Sequence, residues 1–153
     1  MLRLTVAAVG KIRGTPYDPL LQDYLRRFTL PVTVIEVDER KTLAPAQLRQ
    51  REGELLATKI PAASYMVALD PHGKILSSEN LATFVQRRQD DGTRDMCFII
   101  GGADGLSDDV LARAQFRLSL GAMIWPHLLA RVMLIEQLYR AQQILAGHPY
   151  HRG

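Results

Sequence analysis

The chain closes on His148-Pro-Tyr-His-Arg-Gly153, which sets two imidazoles, a phenol and a guanidinium within five consecutive positions. The ends of soluble domains are usually small, polar and poorly ordered. These groups instead bind anions, stack on bases and move protons, and Pro149 stiffens the backbone that carries them. The tail is therefore a candidate active-site segment, with docking for packing alone as the alternative. Upstream, His127, Arg131, Glu136 and Arg140 interrupt a long apolar run. Glu136 and Arg140 stand at the i, i+4 spacing of a helical surface ion pair. A guanidinium on an otherwise apolar helix can equally serve a site. His148 and His151 are too close to Pro149 to form a helical metal pair, and no metal site is expected. No nucleophile elbow with a Ser-His-Asp order is present, so hydrolase chemistry lacks its parts.

Two loops add candidates without catalytic side chains. Ile99-Ile-Gly-Gly-Ala-Asp-Gly105 leaves an apolar strand with three glycines in five residues. Glycine permits close backbone approach and positive φ. The spacing matches neither a P-loop nor the dinucleotide fingerprint, so the loop is expected either to admit a ligand or to make a structural turn. Gly121-Ala-Met-Ile-Trp-Pro126 is apolar and offers only backbone N–H and C=O groups. That combination suits a planar heterocycle needing edge hydrogen bonds and greasy walls. It also suits a loop covered by a partner subunit. Cys97, the one cysteine, lies in Met96-Cys-Phe-Ile-Ile100 and reads as a buried small hydrophobe.

The elements that must position these groups follow from periodicity. The 153 residues, 47% hydrophobic and 23% charged, are the size and composition of one globular domain, residues 1–153. The net charge of +3 is compatible with nucleic acid without being diagnostic. The apolar start is too short for a signal segment or a membrane span, which predicts a cytoplasmic protein. Strands are predicted over residues 2–9, 32–37, 64–69, 96–100 and 116–120. Helices are predicted over 19–28, 45–60, 77–88, from 107 for a short stretch, and 128–146. Asp70-Pro-His-Gly is a strong turn signal that should close the third strand. The alternation predicts an α/β domain with a mostly parallel sheet flanked by helices. Ligands of such sheets sit beyond the carboxyl ends of strands, which selects Leu69-Asp70, Gly101-Gly102 and residues 121–125 as the rim. The last helix is apolar almost all round, so both the sheet and a second chain are expected to cover it.

Taken together, Phe98-Ile-Ile-Gly-Gly-Ala-Asp-Gly-Leu-Ser107, Leu118-Ser-Leu-Gly-Ala-Met-Ile-Trp-Pro-His127, Arg131, Glu136-Gln-Leu-Tyr-Arg-Ala141 and His148-Pro-Tyr-His-Arg152 resemble the ribosomal RNA large subunit methyltransferase H family of the SPOUT superfamily. Val6-Ala-Ala-Val-Gly-Lys11 and Tyr24-Leu-Arg-Arg-Phe28 extend the likeness over nearly the whole chain. The resemblance implies a SPOUT domain with a carboxyl-terminal trefoil knot, a homodimer, and S-adenosylmethionine as methyl donor. It implies N3-methylation of a pseudouridine in a 23S rRNA stem-loop, on the assembled ribosome. By position it assigns Leu69, Gly102, Gly121, Ala122, Met123, Ile124, Trp125 and Pro126 to the donor. It assigns His127, Arg140, Tyr150, His151 and Arg152 to the methyl-transfer centre. Position 124 is often Thr or Leu in the family; Ile124 supplies no hydroxyl there.

Overall fold

The computed structural model describes residues 1–153. Five strands and five helices alternate: β1 (Arg3–Val9), α1 (Tyr17–Arg27), β2 (Val32–Val37), α2 (Pro45–Ala57), β3 (Tyr65–Ile75), α3 (Ser78–Asp90), β4 (Asp95–Ile100), α4 (Asp108–Arg113), β5 (Phe116–Ser119) and α5 (His127–Leu145). The sheet order is β2-β1-β4-β3-β5, and every pairing between these strands is parallel. Side-chain alternation along the strands builds two cores. Leu4, Val6, Ala8 and Phe98 face Leu21 of α1, Leu81 and Val85 of α3, and Val132, Leu134, Ile135 and Leu138 of α5. On the opposite face Ala7, Val9, Cys97 and Ile99 meet Leu56 of α2 and Val110 of α4. β4 is thus apolar on both faces, as its unbroken run requires. Burial pushes the Cys97 thiol up to about 12, which leaves it a packing residue.

Local chemistry sets the helix starts. Ser77 accepts from the Asn80 N–H at 3.0 Å and Ser107 from the Val110 N–H at 3.3 Å, each satisfying an otherwise orphaned first-turn donor. Pro45 begins α2, where its missing N–H costs nothing. α1 begins at Tyr17, two residues before the expected start, and α2 ends at Ala57, short of the expected residue 60.

One expected turn is not a turn. β3 continues through Asp70-Pro-His-Gly to Ile75, and its register against β5 slips between Leu69 and Lys74, so that both residues face Leu118. Pro71 has no N–H for the ladder, and the segment arches out as a bulge before the strand resumes. Gly73 is needed in that arch, since a Cβ there would lie 2.6 Å from the Arg117 carbonyl oxygen. No helix is long and apolar enough to cross a membrane.

Candidate active site

The carboxyl ends of β3, β4 and β5 open onto a pocket of about 800 Å³. Leu69 and the arch of β3 form one wall, and residues 100–106 after β4 form another. Leu118, Leu120 and loop 121–126 form a third, and His127 and Ala130 of α5 close it. Of the residues assigned to the donor, Leu69, Gly102, Gly121, Met123, Ile124, Trp125 and Pro126 line this one pocket; Ala122 does not. Ser119 ties two walls together: its hydroxyl lies 3.0 Å from the Pro71 carbonyl oxygen and accepts from the Gly121 N–H at 3.0 Å. Met123 and Ile124 are 72% and 87% exposed, and the N–H groups of Met123, Ile124 and Trp125 have no backbone partner. The loop therefore offers apolar surface with open donors beside it.

The glycine turn owes more to its own geometry than to a ligand. A Cβ on Gly101 would sit 2.6 Å from the Gly105 carbonyl carbon and oxygen, and Gly105 itself has φ +81°. A Cβ on Gly102 would point away from the pocket, at the Glu52 carboxylate (3.0 Å) and a Val9 methyl (3.1 Å). Glu52 is buried and its Oε1 has no hydrogen-bond partner. Desolvation first, then the charges of Asp104 and Asp38, raises its pKa above the ordinary carboxylate value. Sequence reasoning missed Glu52. It also missed Arg49 and Asp108, which with Asp104 of the glycine loop give the pocket a charged rim. Arg49 and Glu52 lie one turn apart on α2, the only signal the sequence carried for them.

The amino end of α5 is anchored by a buried cation. Arg131 is fully buried, pairs through Nη1 with Glu36, and donates through Nη2 to the carbonyl oxygens of Gly10 (3.0 Å) and Val9 (3.3 Å). Glu36 also accepts from the Ile12 N–H at 2.9 Å, so one carboxylate fixes the turn after β1. Gly10 has φ +104°, and a Cβ there would come within 2.9 Å of His127 Nε2. His127 is half-buried, and desolvation, then the Arg131 charge, holds its pKa below the usual imidazole value. At neutral pH it presents a neutral ring to the pocket.

Arg140, Tyr150 and His151 gather elsewhere. Arg140 grips Glu136 with a fork, Nε to Oε1 at 3.0 Å and Nη2 to Oε2 at 2.9 Å. Its Nη1 lies 3.0 Å from His151 Nδ1. The Tyr150 hydroxyl donates to Glu136 at 3.2 Å, and its ring lies under the Arg140 guanidinium, 4.9 Å away. Burial, then the Glu136 charge, pushes this phenol up to about 12. Glu79 of α3, which sequence reasoning also missed, meets His151 Nε2 at 2.7 Å. Arg152 is exposed. Arg140 stands 13 residues beyond His127 on one helix, about 20 Å at 1.5 Å per residue. Within one chain, then, the residues assigned to the methyl-transfer centre fall into two groups. No three or more His, Cys, Asp or Glu side chains are arranged to hold a metal ion.

The family model described as "Predicted SPOUT methyltransferase" matches residues 2–151. The chain is 47% identical over 152 residues to a "Ribosomal RNA large subunit methyltransferase H" of Rhodospirillum centenum, covering 99% of this chain and 100% of that one. It is 46% identical over 151 residues to the protein of that name in Paramagnetospirillum magneticum, covering 99% of each. A solved probable methylase family protein from Haemophilus influenzae Rd KW20 superposes with TM-score 0.58 at 10% identity, over 100% of this chain and 72% of the other. It shows the shared fold.

Proposed function

We propose that this chain, which belongs to the SPOUT methyltransferase family and to its ribosomal RNA large subunit methyltransferase H branch, methylates 23S rRNA at N3 of a pseudouridine, in a stem-loop of the assembled ribosome. The observation that carries this reading is the pocket at the strand ends, apolar on the side of loop 121–126 and charged on the side of Arg49 and Asp104. S-adenosylmethionine has the matching halves: an adenine with hydrogen-bonding edges, and a zwitterionic amino-acid end. Loop 121–126, Leu69 and Gly102 would hold the adenosine, and the charged rim would face the amino-acid end. The group supplies an activated methyl on a sulfonium. The protein's own work is then to position the acceptor and to remove its imide proton.

The tail cannot reach its own pocket along α5. A second copy packed across the exposed loop and α5 would bring its Arg140, Tyr150, His151 and Arg152 to this pocket, so the working unit is a homodimer. Leu128, Leu129 and Met133, partly exposed on α5, and the exposed side chains of Met123 and Ile124 supply an apolar face for it. We read the whole chain as one cytoplasmic domain whose carboxyl-terminal part forms the trefoil knot of the family. Light scattering should give twice the 17.2 kDa chain mass, and a monomer at micromolar concentration overturns the shared-site reading. The function is tested with labelled S-adenosylmethionine and purified ribosomes from a deletion strain, followed by nucleoside mass spectrometry. N3-methylpseudouridine is expected; methylation of another base makes this a SPOUT enzyme of different specificity. Absence of donor binding by calorimetry would reduce it to a docking module.

A further inference from the structure

The hydrogen bonds of the tail have directions that can be assigned. Arginine carries N–H donors and no acceptor. Arg140 Nη1, 3.0 Å from His151 Nδ1, must donate, so Nδ1 holds a lone pair. The other ring nitrogen then carries the hydrogen and donates to Glu79 Oε1 at 2.7 Å. His151 is thus fixed from two helices as a neutral imidazole of one tautomer. The bond from His151 is the first cause that holds the Glu79 carboxyl below its ordinary range. The charged and titratable groups around the ring are Glu79 on α3, Arg140 and Glu136 on α5, and Tyr150 beside it in the tail, with the terminal residue Gly153 packed against Nε2.

We propose that His151 is the proton acceptor for the imide of the substrate base, through Nδ1, and that Glu79 is the residue that positions it. This rests on the pseudouridine reading above. Arg140 has five N–H groups, of which Glu136 and His151 engage three. When Arg140 swings an N–H onto an incoming oxygen anion, the lone pair of Nδ1 is left facing the same anion's neighbourhood. The N3–H bond breaks and its proton goes to Nδ1. The N3 electron pair forms the bond to the methyl carbon, and the electrons of the S–CH3 bond remain on sulfur. The imidazolium so formed lies against the Glu79 carboxylate, which stabilises it through a charge-assisted hydrogen bond. The other candidates fit less well. Tyr150 is a phenol whose ionisation is pushed up to about 12, and His127 is held against protonation by desolvation first and then by the Arg131 charge.

Nitrogen-15 NMR of the imidazoles in the donor-free protein gives a readout independent of activity. His151 should show a pyridine-like Nδ1 and a pyrrole-like Nε2 at pH 8. Glu79→Gln should lower the acid-limb pKa of the pH–rate profile for methyl transfer by about one unit. It should reduce turnover about 10-fold or more at pH 7, a fraction of the 100- to 10,000-fold typical of general base catalysis. Donor affinity should not change. Glu79 is largely exposed, 55% at its side chain, so the variant should fold. An Nδ1–H tautomer overturns the assignment, as does a Glu79→Ala enzyme with wild-type turnover and an unshifted pH profile. A wild-type protein that transfers no methyl to pseudouridine overturns the functional reading instead, and is recognised because the NMR tautomer is then still as assigned.

Discussion

At the amino end of α5 the wall formed by loop 121–126 is apolar, its N–H groups have no backbone partner, and His127, the one titratable side chain the helix turns to the pocket, has its protonation disfavoured by desolvation. At the carboxyl end Glu136, Arg140, Tyr150, His151 and Glu79 are joined by hydrogen bonds. One end presents apolar surface and N–H groups without a backbone partner. The other is already satisfied and spends its polar groups on holding a tail in one geometry. A partly buried polar network of this kind is stabilising only when each member has its partner. Specific placement is therefore the property the tail end was built for, whereas shape and open donors are the property of the pocket. The two ends should fail differently when altered.

Among single substitutions, the largest difference is expected at Arg140. Arg140→Ala should reduce turnover about 100- to 1000-fold, the usual loss when one donor to a developing anion is removed, while donor affinity stays within about threefold, or about 0.7 kcal/mol. Arg140→Lys should recover part of the rate, since an ammonium cannot hold Glu136 with a planar fork. Single-turnover methyl transfer to ribosomes, run beside calorimetry of the donor, separates the two quantities. Equal losses in both would mean that the ends of α5 are one site, and the comparison would collapse.

At the pocket end the order should reverse, with binding lost before turnover. Gly101→Ala places a methyl 2.6 Å from the backbone of Gly105, which cannot swing aside, so the turn must open. Donor affinity should weaken about 10-fold or more, roughly 1.4 kcal/mol. Gly102→Ala meets only the ends of the Glu52 and Val9 side chains and should leave affinity within about threefold. Equal effects at the two glycines would show that Gly102 lacks a side chain for the donor's sake after all.

Removing residues 149–153 sharpens the contrast further. Turnover should vanish, yet stability should fall by only about 1 kcal/mol, the scale of one edge-to-face aromatic pair. Tyr150 makes that pair with Tyr139, at 4.9 Å between centroids. Chemical denaturation of the truncated protein measures it, and a loss above about 3 kcal/mol would class the tail with the core.

Much of this was legible beforehand, for physical reasons that differ by region. β1 and β4 declare themselves through apolar runs that local chemistry ends cleanly at glycine. The arch in β3 does not, because Asp70-Pro-His-Gly satisfies a turn's local demands. Only the distant pairing of Lys74 and Ile75 with Leu118 and Ser119 shows that the strand resumes. The pocket walls were legible as loops after strands. The split of His127 from Arg140 was also open to arithmetic on one helix, but resemblance grouped them by role. Glu79 was not legible, since an acidic residue in a first helical turn is ordinary and nothing local announces its distant histidine.

The smallest expected effect is one of pH, and it has opposite signs at the two ends. His127 in the folded protein binds its proton less readily than an ordinary imidazole near 6.5, chiefly through desolvation. As pH falls below about 6.5 the unfolded chain takes up a proton that the folded chain resists. This group therefore lowers stability on the acid side and is silent above it. Tyr150 is shifted upward, from 10.0 to about 12. Its contribution is complete below pH 10.0 and is lost as pH rises toward about 12. His127→Gln should accordingly unfold at a less pH-sensitive temperature than the wild type below pH 6.5 and match its slope above. Tyr150→Phe should differ in slope only above pH 10.0. Thermal unfolding scanned from pH 5 to 11 tests both variants against the wild type. If His127→Gln keeps the full acid slope, then the ring at the pocket is solvated and free to protonate. The neutral, open character assigned to that end of α5 would then belong to loop 121–126 alone.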